Sequence, residues 1–159
     1  ELCNAYGLDV ISTGVTIAFA MECYERGLLN RDKAGGLELK FGDGALVLDL
    51  IPMIARRQGI GALLAEGSFR AARQIGPQSL EYAVQVKDME VAIHDGRTKM
   101  SMALGYAVSP KGPDHLIAPF DILFEKADSP GLALWLRWGF WSLWIPWISA
   151  GEKFAFTSI

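Results

Sequence analysis

The sequence predicts a mainly α-helical protein with minor short extended segments, and three observations favour this fold class. Apolar residues recur at helical spacing over residues 11–27, 51% of the chain is apolar, and glycine or proline separates one apolar segment from the next. A chain of 159 residues can hold one compact domain or parts of two. We expect a partial first helical domain over residues 1–90 and a partial second one over residues 91–159.

The longest predicted helix spans residues 11–27. Either Ser12 or Asp9 can cap its start, because both side chains can accept a hydrogen bond from a backbone N–H of the first turn. Gly27 marks its end. The apolar positions that approximate the i, i+3/i+4, i+7 spacing are Ile11, Val15, Ala18, Phe19, Cys23 and Tyr24.

Shorter elements are predicted further along the chain. Residues 45–58 and 62–75 have helical patterns, and Pro52 is expected to kink the first of these two helices unless it lies in the first turn. Residues 37–41 alternate between apolar and charged side chains like a short strand. Residues 80–93 alternate well enough for a strand or an extended segment.

Loops alternate with apolar segments after these elements. Residues 94–100 (HDGRTKM) are predicted to form a loop, and residues 100–107 form a short apolar segment. Residues 109–115 contain two prolines and a glycine, which predicts a second loop. The earlier run GALLAEGS, at residues 61–68, is interpreted as part of a packed helix.

Residues 132–150 are unusually aromatic, and their composition leaves several interpretations open. The segment could pass a hydropathy scan for a membrane helix, but it contains Arg137, Pro146 and five tryptophans spread along its length. Tryptophans of membrane helices concentrate at the two interfaces instead. Elements lining an apolar substrate cavity, or a covered subunit interface, agree better with this composition. We therefore expect no membrane association.

The overall composition excludes one class of partner and indicates a compartment. A net charge of −3 provides neither a basic surface for nucleic acid nor a polybasic membrane patch. The two cysteines, Cys3 and Cys23, form no CxxC pair and stand at no zinc spacing, so no metal site is predicted. Cys23 is expected to be a small buried apolar side chain. Two free thiols suit a reducing cytosol, and we expect a cytoplasmic protein.

The hexad NAYGLD at residues 4–9 has a structural and a functional interpretation. In the structural one, Asn4 forms an Asx turn, Gly7 provides a positive φ and Asp9 caps the following helix. In the functional one, the hexad binds a pterin or nucleotide ring. Gly7 then permits close approach of the backbone, and Asp9 accepts hydrogen bonds from ring N–H groups.

The loop KGPDH at residues 111–115 also permits two interpretations. By spacing alone it is a surface turn. Its side chains could also serve chemistry, because a neutral histidine such as His115 can donate or accept a proton near pH 7. Lys111 could pair with a phosphate or a pterin edge as a point charge.

These segments, in this order, resemble the tungsten-containing aldehyde ferredoxin oxidoreductase family. NAYGLD matches the first of the family's two D-x-x-G-L-[C/D] elements, and the run VISTGVTIAFAMECYERGLL is similar to the family's sequence after it. KGPDH is similar to the family's [R/K]-G-x-D-H loop. HDGR at residues 94–97 is similar to its H-D-P-R segment, with Gly96 in place of proline. The resemblance covers residues 1–118 well and weakens over residues 119–159.

The resemblance implies that the first segment holds one pterin of a bis-pterin cofactor that carries tungsten (or molybdenum). The residues that would bind it are Asn4, Gly7, Leu8 and Asp9. Asn4 stands where the family has aspartate, so its amide can still form hydrogen bonds but brings no charge.

The resemblance also implies roles in the second segment. His115 would lie beside the metal as the catalytic, proton-handling residue. Lys111 would border the pterin, and Asp114 would orient the loop or His115. The HDGR segment would be a structural loop near the cofactor cavity, and Arg97 is its residue best suited to touch the cofactor.

The implied activity is the oxidation of aldehydes to carboxylic acids, with electrons passing through a [4Fe–4S] cluster to ferredoxin. The chain begins at Glu1 inside a motif, so we expect an internal fragment that is inactive alone. The cluster's cysteine ligands and the second pterin element would lie outside it. The implied partners are ferredoxin, an aldehyde or related small molecule, and further subunits of a homo- or hetero-oligomer.

Two other functions stay open. Some relatives in the same family reduce aryl thioesters of the benzoyl-CoA type, and the tryptophan-rich segment is compatible with that activity. The chain could also be a non-catalytic helical binding or scaffold module.

Overall fold

The computed structural model describes residues 1–116, which all belong to one compact unit, Glu1–Ala118. The aromatic segment at residues 132–150 lies outside the described residues. The domain boundary expected near residue 90 stays a prediction.

The described residues confirm the mainly α-helical fold class. Helices account for most of the regular structure, and two short strands form a hairpin. The elements are α1 (Leu2–Ala5), α2 (Val10–Glu25), α3 (Gly44–Ala55), α4 (Gly61–Leu64), α5 (Ser68–Ile75), a 3₁₀ helix (Pro77–Tyr82), β1 (Gln85–Val86), β2 (Met89–Glu90) and α6 (Met100–Val108).

Helix α2 is the central element, and its prediction is confirmed. Asp9 caps it, because its Oδ1 accepts a hydrogen bond from the backbone N–H of Ser12 at 2.6 Å. Gly27, with φ +72°, follows its end. The helix packs against α1, α3, α4, α5, the 3₁₀ helix and β2.

Helix α3 ends at Ala55, earlier than the predicted residue 58. Arg57 has φ +52°, and the N–H of Gln58 donates to the carbonyl of Met53 at 2.9 Å, which is the pattern of a Schellman C-cap. Pro52 lies inside the helix without ending it.

The single helix predicted over residues 62–75 is wrong, because the chain forms α4 and α5 there with a break between them. Gly67 at the break has φ +83°, a conformation that residues with a side chain rarely adopt. A Cβ at Gly67 would lie 2.9 Å from Oε1 of Glu90. The run GALLAEGS is therefore not one packed helix.

The strand predicted over residues 37–41 is also wrong. Residues 37–40 have no regular structure, and the ladder between β1 and β2 is the only one among residues 1–116. Leu39 is fully buried and Phe41 is exposed, so the alternation does not produce one buried face. Apolar alternation forms a strand only where a partner strand completes its hydrogen bonds.

The extended segment predicted over residues 80–93 is confirmed in part. The 3₁₀ helix occupies its first residues, and the antiparallel hairpin follows with Gln85 opposite Glu90 and Val86 opposite Met89. The predicted loops at residues 94–100 and 109–115 are largely irregular, and α6 includes the short apolar segment between them.

The apolar core is built from the first helices of the chain and the connector between α2 and α3. Its best-buried large side chains come from α2, α3, α4 and that connector. They include Phe19, Leu39, Leu50 and Leu64.

Candidate functional site

The NAYGLD segment folds into a helix C-cap that leads directly into an N-cap. Asn4 lies in α1, which differs from the Asx turn considered for it. Gly7 has φ +68° and its N–H donates to the Asn4 carbonyl at 3.1 Å. The N–H of Leu8 donates to the Cys3 carbonyl at 2.9 Å. These two bonds form a Schellman motif. The motif favours glycine at the left-handed position and an apolar residue after it, so the helix end alone accounts for Gly7 and Leu8.

The polar side chains of this segment point away from the apolar core. Asn4, Gly7 and Asp9 are exposed, while Leu8 packs against the core. A Cβ at Gly7 would meet no atom within 4 Å. The backbone at Gly7 is therefore open to a flat ring, and the Asn4 amide and the Asp9 carboxylate are both accessible from solvent.

A guanidinium also lies at this segment, and no local motif predicts it there. Arg56, at the end of α3, donates from Nη2 to the hydroxyl oxygen of Tyr6 at 3.1 Å. Its guanidinium carbon lies 5.6 Å from the centre of the Tyr6 ring. This cation–π contact joins α3 to the hexad.

The KGPDH loop is ordered by its own polar groups. The Lys111 ammonium lies 3.6 Å from Oδ2 of Asp114. Oδ1 of Asp114 accepts a hydrogen bond from the N–H of Leu116 at 2.9 Å. The Leu116 N–H, followed by the Lys111 charge, holds the pKa of Asp114 below its usual value. Asp114 therefore orients the end of the loop.

The structure brings the two histidines together. The ring centres of His94 and His115 are 5.4 Å apart, with the ring planes inclined by 46°. Both residues are half-buried. The carbonyl of His94 accepts a hydrogen bond from the Tyr106 hydroxyl at 3.3 Å. The HDGR and KGPDH motifs, which are separate in the sequence, thus place their histidines side by side.

Arg97 belongs to a local ion pair. Its guanidinium donates to both carboxylate oxygens of Asp95, at 2.6 to 3.0 Å. This pairing holds the pKa of Asp95 below its usual value. Arg97 is also largely exposed, so its hydrogen bonds define a surface turn.

The two candidate segments have no direct polar contact with each other. No hydrogen bond, ion pair or ring contact among residues 1–116 joins NAYGLD to KGPDH. They are connected through α2 and the β1–β2 hairpin, because α2 contacts β2.

Glu90 is a functional candidate that the sequence did not reveal. It is only 7% exposed, and its Oε1 accepts hydrogen bonds from the N–H and hydroxyl of Ser68, at 2.6 and 3.0 Å. The Thr16 hydroxyl donates to the same oxygen at 3.3 Å. In the sequence Glu90 was one polar position of an alternating segment, and no local signal marks it as buried.

Two kinds of feature are absent from residues 1–116. No group of three or more His, Cys, Asp and Glu side chains there could hold a metal ion. No helix in that part of the chain is long and apolar enough to span a membrane.

A helical unit that presents an amide and a carboxylate at a helix entrance, together with a histidine-bearing loop, can bind part of a large polar cofactor. The chain belongs to the aldehyde ferredoxin oxidoreductase family. The family model described as "Aldehyde ferredoxin oxidoreductase, domains 2 & 3" matches residues 1–139.

Curated relatives agree with this family assignment. The chain is 40% identical over 120 residues to an aliphatic sulfonate oxidoreductase, WOR-like subunit, of Pyrococcus furiosus, which is 72% of this chain and 19% of the relative. It is 40% identical over 116 residues to a tungsten-containing aldehyde ferredoxin oxidoreductase of Pyrococcus horikoshii, with coverages of 71% and 19%. The chain thus spans about a fifth of the length of these relatives.

A solved structure is similar as well. It is the active site complex BamBC of benzoyl coenzyme A reductase in complex with 1,5-dienoyl-CoA. The TM-score is 0.52 with 27% sequence identity, covering 67% of this chain and 16% of the other.

Proposed function

We propose that the chain forms part of the active site of a tungsten (or molybdenum) bis-pterin oxidoreductase that oxidises aldehydes to carboxylic acids. The observation that carries this proposal is that Asn4 and Asp9 are exposed on either side of Gly7 in the chain, and that the space at Gly7 is open. It lies within residues 1–139, which the family model matches, and several relatives are named for this activity.

The residues at this segment fit the edge of a pterin ring. Asp9 uses Oδ1 to cap α2, and its carboxylate retains further acceptor sites for ring N–H groups. The Asn4 amide can both donate and accept. Gly7 leaves room for a ring to approach the backbone. Leu8, packed against the core, would fix the segment beneath the ring.

The second segment would handle protons. The bound tungsten–pterin group supplies the two-electron redox chemistry. Conversion of an aldehyde and water into a carboxylic acid releases two protons and two electrons. An imidazole nitrogen of His115 would accept one of these protons, since histidine exchanges protons near neutral pH. Asp114 orients the loop, and Lys111 would offer its ammonium to an anionic edge of the cofactor.

The electrons would leave through a [4Fe–4S] cluster to ferredoxin, an acceptor that the names of several relatives include. The cysteine ligands of this cluster would lie outside the 159 residues. A cytoplasmic enzyme in a homo- or hetero-oligomer fits the two buried free thiols, Cys3 and Cys23, and the BamBC complex.

A second candidate function is the reduction of an aryl thioester. The similarity to the BamBC complex, whose bound molecule is a dienoyl-CoA, favours it. The test is anaerobic electron transfer in the whole protein that contains this chain. Aldehyde-dependent reduction of a viologen dye supports aldehyde oxidation, and oxidation of reduced viologen by an aryl-CoA thioester supports the alternative. Absence of tungsten, molybdenum and pterin would leave only the scaffold function.

The role of His115 is tested by His115→Ala. We expect kcat to fall by about 10²–10⁴ while the metal content is unchanged, because a lost general acid–base group has this effect. His94→Ala is the matched control, since His94 is the only other histidine of the chain. We expect His94→Ala to lower kcat less than His115→Ala does. Full activity of His115→Ala would remove His115 from the mechanism.

A further inference from the structure

The β1–β2 hairpin is fixed on one side to the helix that follows NAYGLD. Oε1 of Glu90 in β2 accepts hydrogen bonds from Thr16 in α2 and from two groups of Ser68 at the start of α5. A buried carboxylate with three donors has little freedom to move. The hairpin therefore has a set position relative to α2, which Asp9 caps.

The same hairpin holds the KGPDH loop on its other side. The ammonium of Lys87, in the hairpin turn, donates to the carbonyl of Ser109 at 2.6 Å. Ser109 is the buried residue that ends α6 and begins the loop. Three residues later Gly112 has φ +104°, and a Cβ there would lie 3.2 Å from the Val86 carbonyl oxygen. The loop backbone thus lies directly against β1.

The hairpin turn itself does not explain the presence of a lysine. Lys87 and Asp88 have φ of +54° and +63°, so both central residues of the two-residue turn are left-handed. Such a turn favours asparagine or glycine, because a residue with an ordinary side chain is disfavoured in this conformation. The hydrogen bond from the Lys87 ammonium to the Ser109 carbonyl gives a reason for lysine at a position where the backbone disfavours it.

We propose that Lys87 is a positioning residue that, through Ser109, sets the place of the loop bearing His115 relative to the NAYGLD segment. No hydrogen bond or ion pair among residues 1–116 joins the two segments directly, and the hairpin connects them. The catalytic consequence rests on the proposed function, whereas the tether between Lys87 and the loop does not.

The test substitutes Lys87→Asn in the whole protein. Asparagine suits the left-handed turn but is too short to reach Ser109. We expect an unchanged or higher Tm, unchanged tungsten content, and amide hydrogen exchange about 10-fold faster over residues 109–116. We expect kcat to fall about 10-fold with KM little changed, because small misplacement of a catalytic group costs rate. Loss of fold stability alone would lower Tm instead.

Two further variants complete the experiment. Lys87→Arg keeps a donor and should restore both loop protection and kcat. Lys40→Asn is the control, because it removes the same charge at a lysine that pairs with Glu38 instead. It should change neither the loop protection nor kcat.

Three results would overturn parts of the proposal separately. Unchanged exchange over residues 109–116 in Lys87→Asn would exclude the tether, whatever the activity. Faster exchange with full kcat would exclude the positioning role. A wild-type protein without tungsten, molybdenum or activity would contradict the proposed function and the catalytic role, while the exchange experiment would still decide the tether.

Discussion

Residues 1–83 and residues 84–116 are held in place by different interactions. The first region shares one apolar core, to which α2, α3, α4 and α5 contribute. In the second region the buried apolar side chains are Ala92, Met102, Tyr106 and Pro113. Many large apolar side chains of this second region are exposed, and Ile93 reaches 90%. The difference shows that a shared apolar core positions the candidate pterin segment, whereas the candidate proton-handling loop buries a single apolar side chain, that of Pro113.

The second region depends instead on individual polar contacts. Glu90 and Lys87 connect the hairpin to α2 and to the loop, and Asp114 orders the loop's end. Regions with few buried apolar contacts open more readily than a core, and functional loops are often of this kind. His115 therefore lies where single hydrogen bonds decide its position.

The largest expected effect tests the contrast in packing. Leu50→Ala removes a fully buried side chain of α3, whereas Leu104→Ala removes one of α6 that is 64% exposed. We expect the free energy of opening to fall by about 2–5 kcal/mol for Leu50→Ala and by less than about 1 kcal/mol for Leu104→Ala. Native-state hydrogen exchange of the amides in each helix measures both values. Equal losses would contradict the contrast between the two regions.

An intermediate effect is expected at alkaline pH in the core. Burial, assisted by the charge of Glu22, raises the pKa of Cys23 from 9.0 to about 11. Since the folded pKa lies above the unfolded one, its contribution is present below pH 9 and is lost as the pH rises towards 11. The change is about 2–3 kcal/mol. Across this window the unfolding free energy of the wild type should fall by this amount relative to that of Cys23→Ala, and parallel curves would contradict the assignment.

The smallest effect is expected at acidic pH in the loop. The pKa of Asp114 is lowered from 3.8, so its contribution is present above that pH and is lost as the pH falls below it. We expect the Leu116 amide to lose protection from exchange on acidification, with little change in α2. Asp114→Asn keeps an acceptor oxygen but should lose this pH dependence. An acid-dependent change that persists in Asp114→Asn would point to another group.

Elements that depend on local sequence signals were predictable, and elements that depend on distant contacts were not. Helix α2 was predicted nearly to its ends, because its spacing, the Asp9 cap and Gly27 are all local signals. The break at Gly67 was missed, since it depends on Glu90, which lies 22 residues beyond its hydrogen-bond partner Ser68. Residues 37–41 have the alternation of a strand, but within residues 1–116 no strand lies beside them.

The same division applies to the candidate site. The hexad NAYGLD and the loop KGPDH carry their own motifs, so the sequence indicated both. The link between them was not predictable, because Thr16 and Glu90 are 74 residues apart in the chain. The approach of His94 to His115 also required the fold.

The proposal that Asp9 holds a pterin is tested by comparing the two helix caps formed by aspartate. Asp9 caps α2 at Ser12, and Asp43 caps α3 at Leu46 with a 3.0 Å bond. Asp9→Ser and Asp43→Ser both keep a capping side chain, so each should change stability by only a few tenths of a kcal/mol up to about 1 kcal/mol. Tungsten and pterin content of the purified whole protein is then measured. We expect a large loss in Asp9→Ser and none in Asp43→Ser, and full cofactor content in Asp9→Ser would show that Asp9 does not hold the pterin.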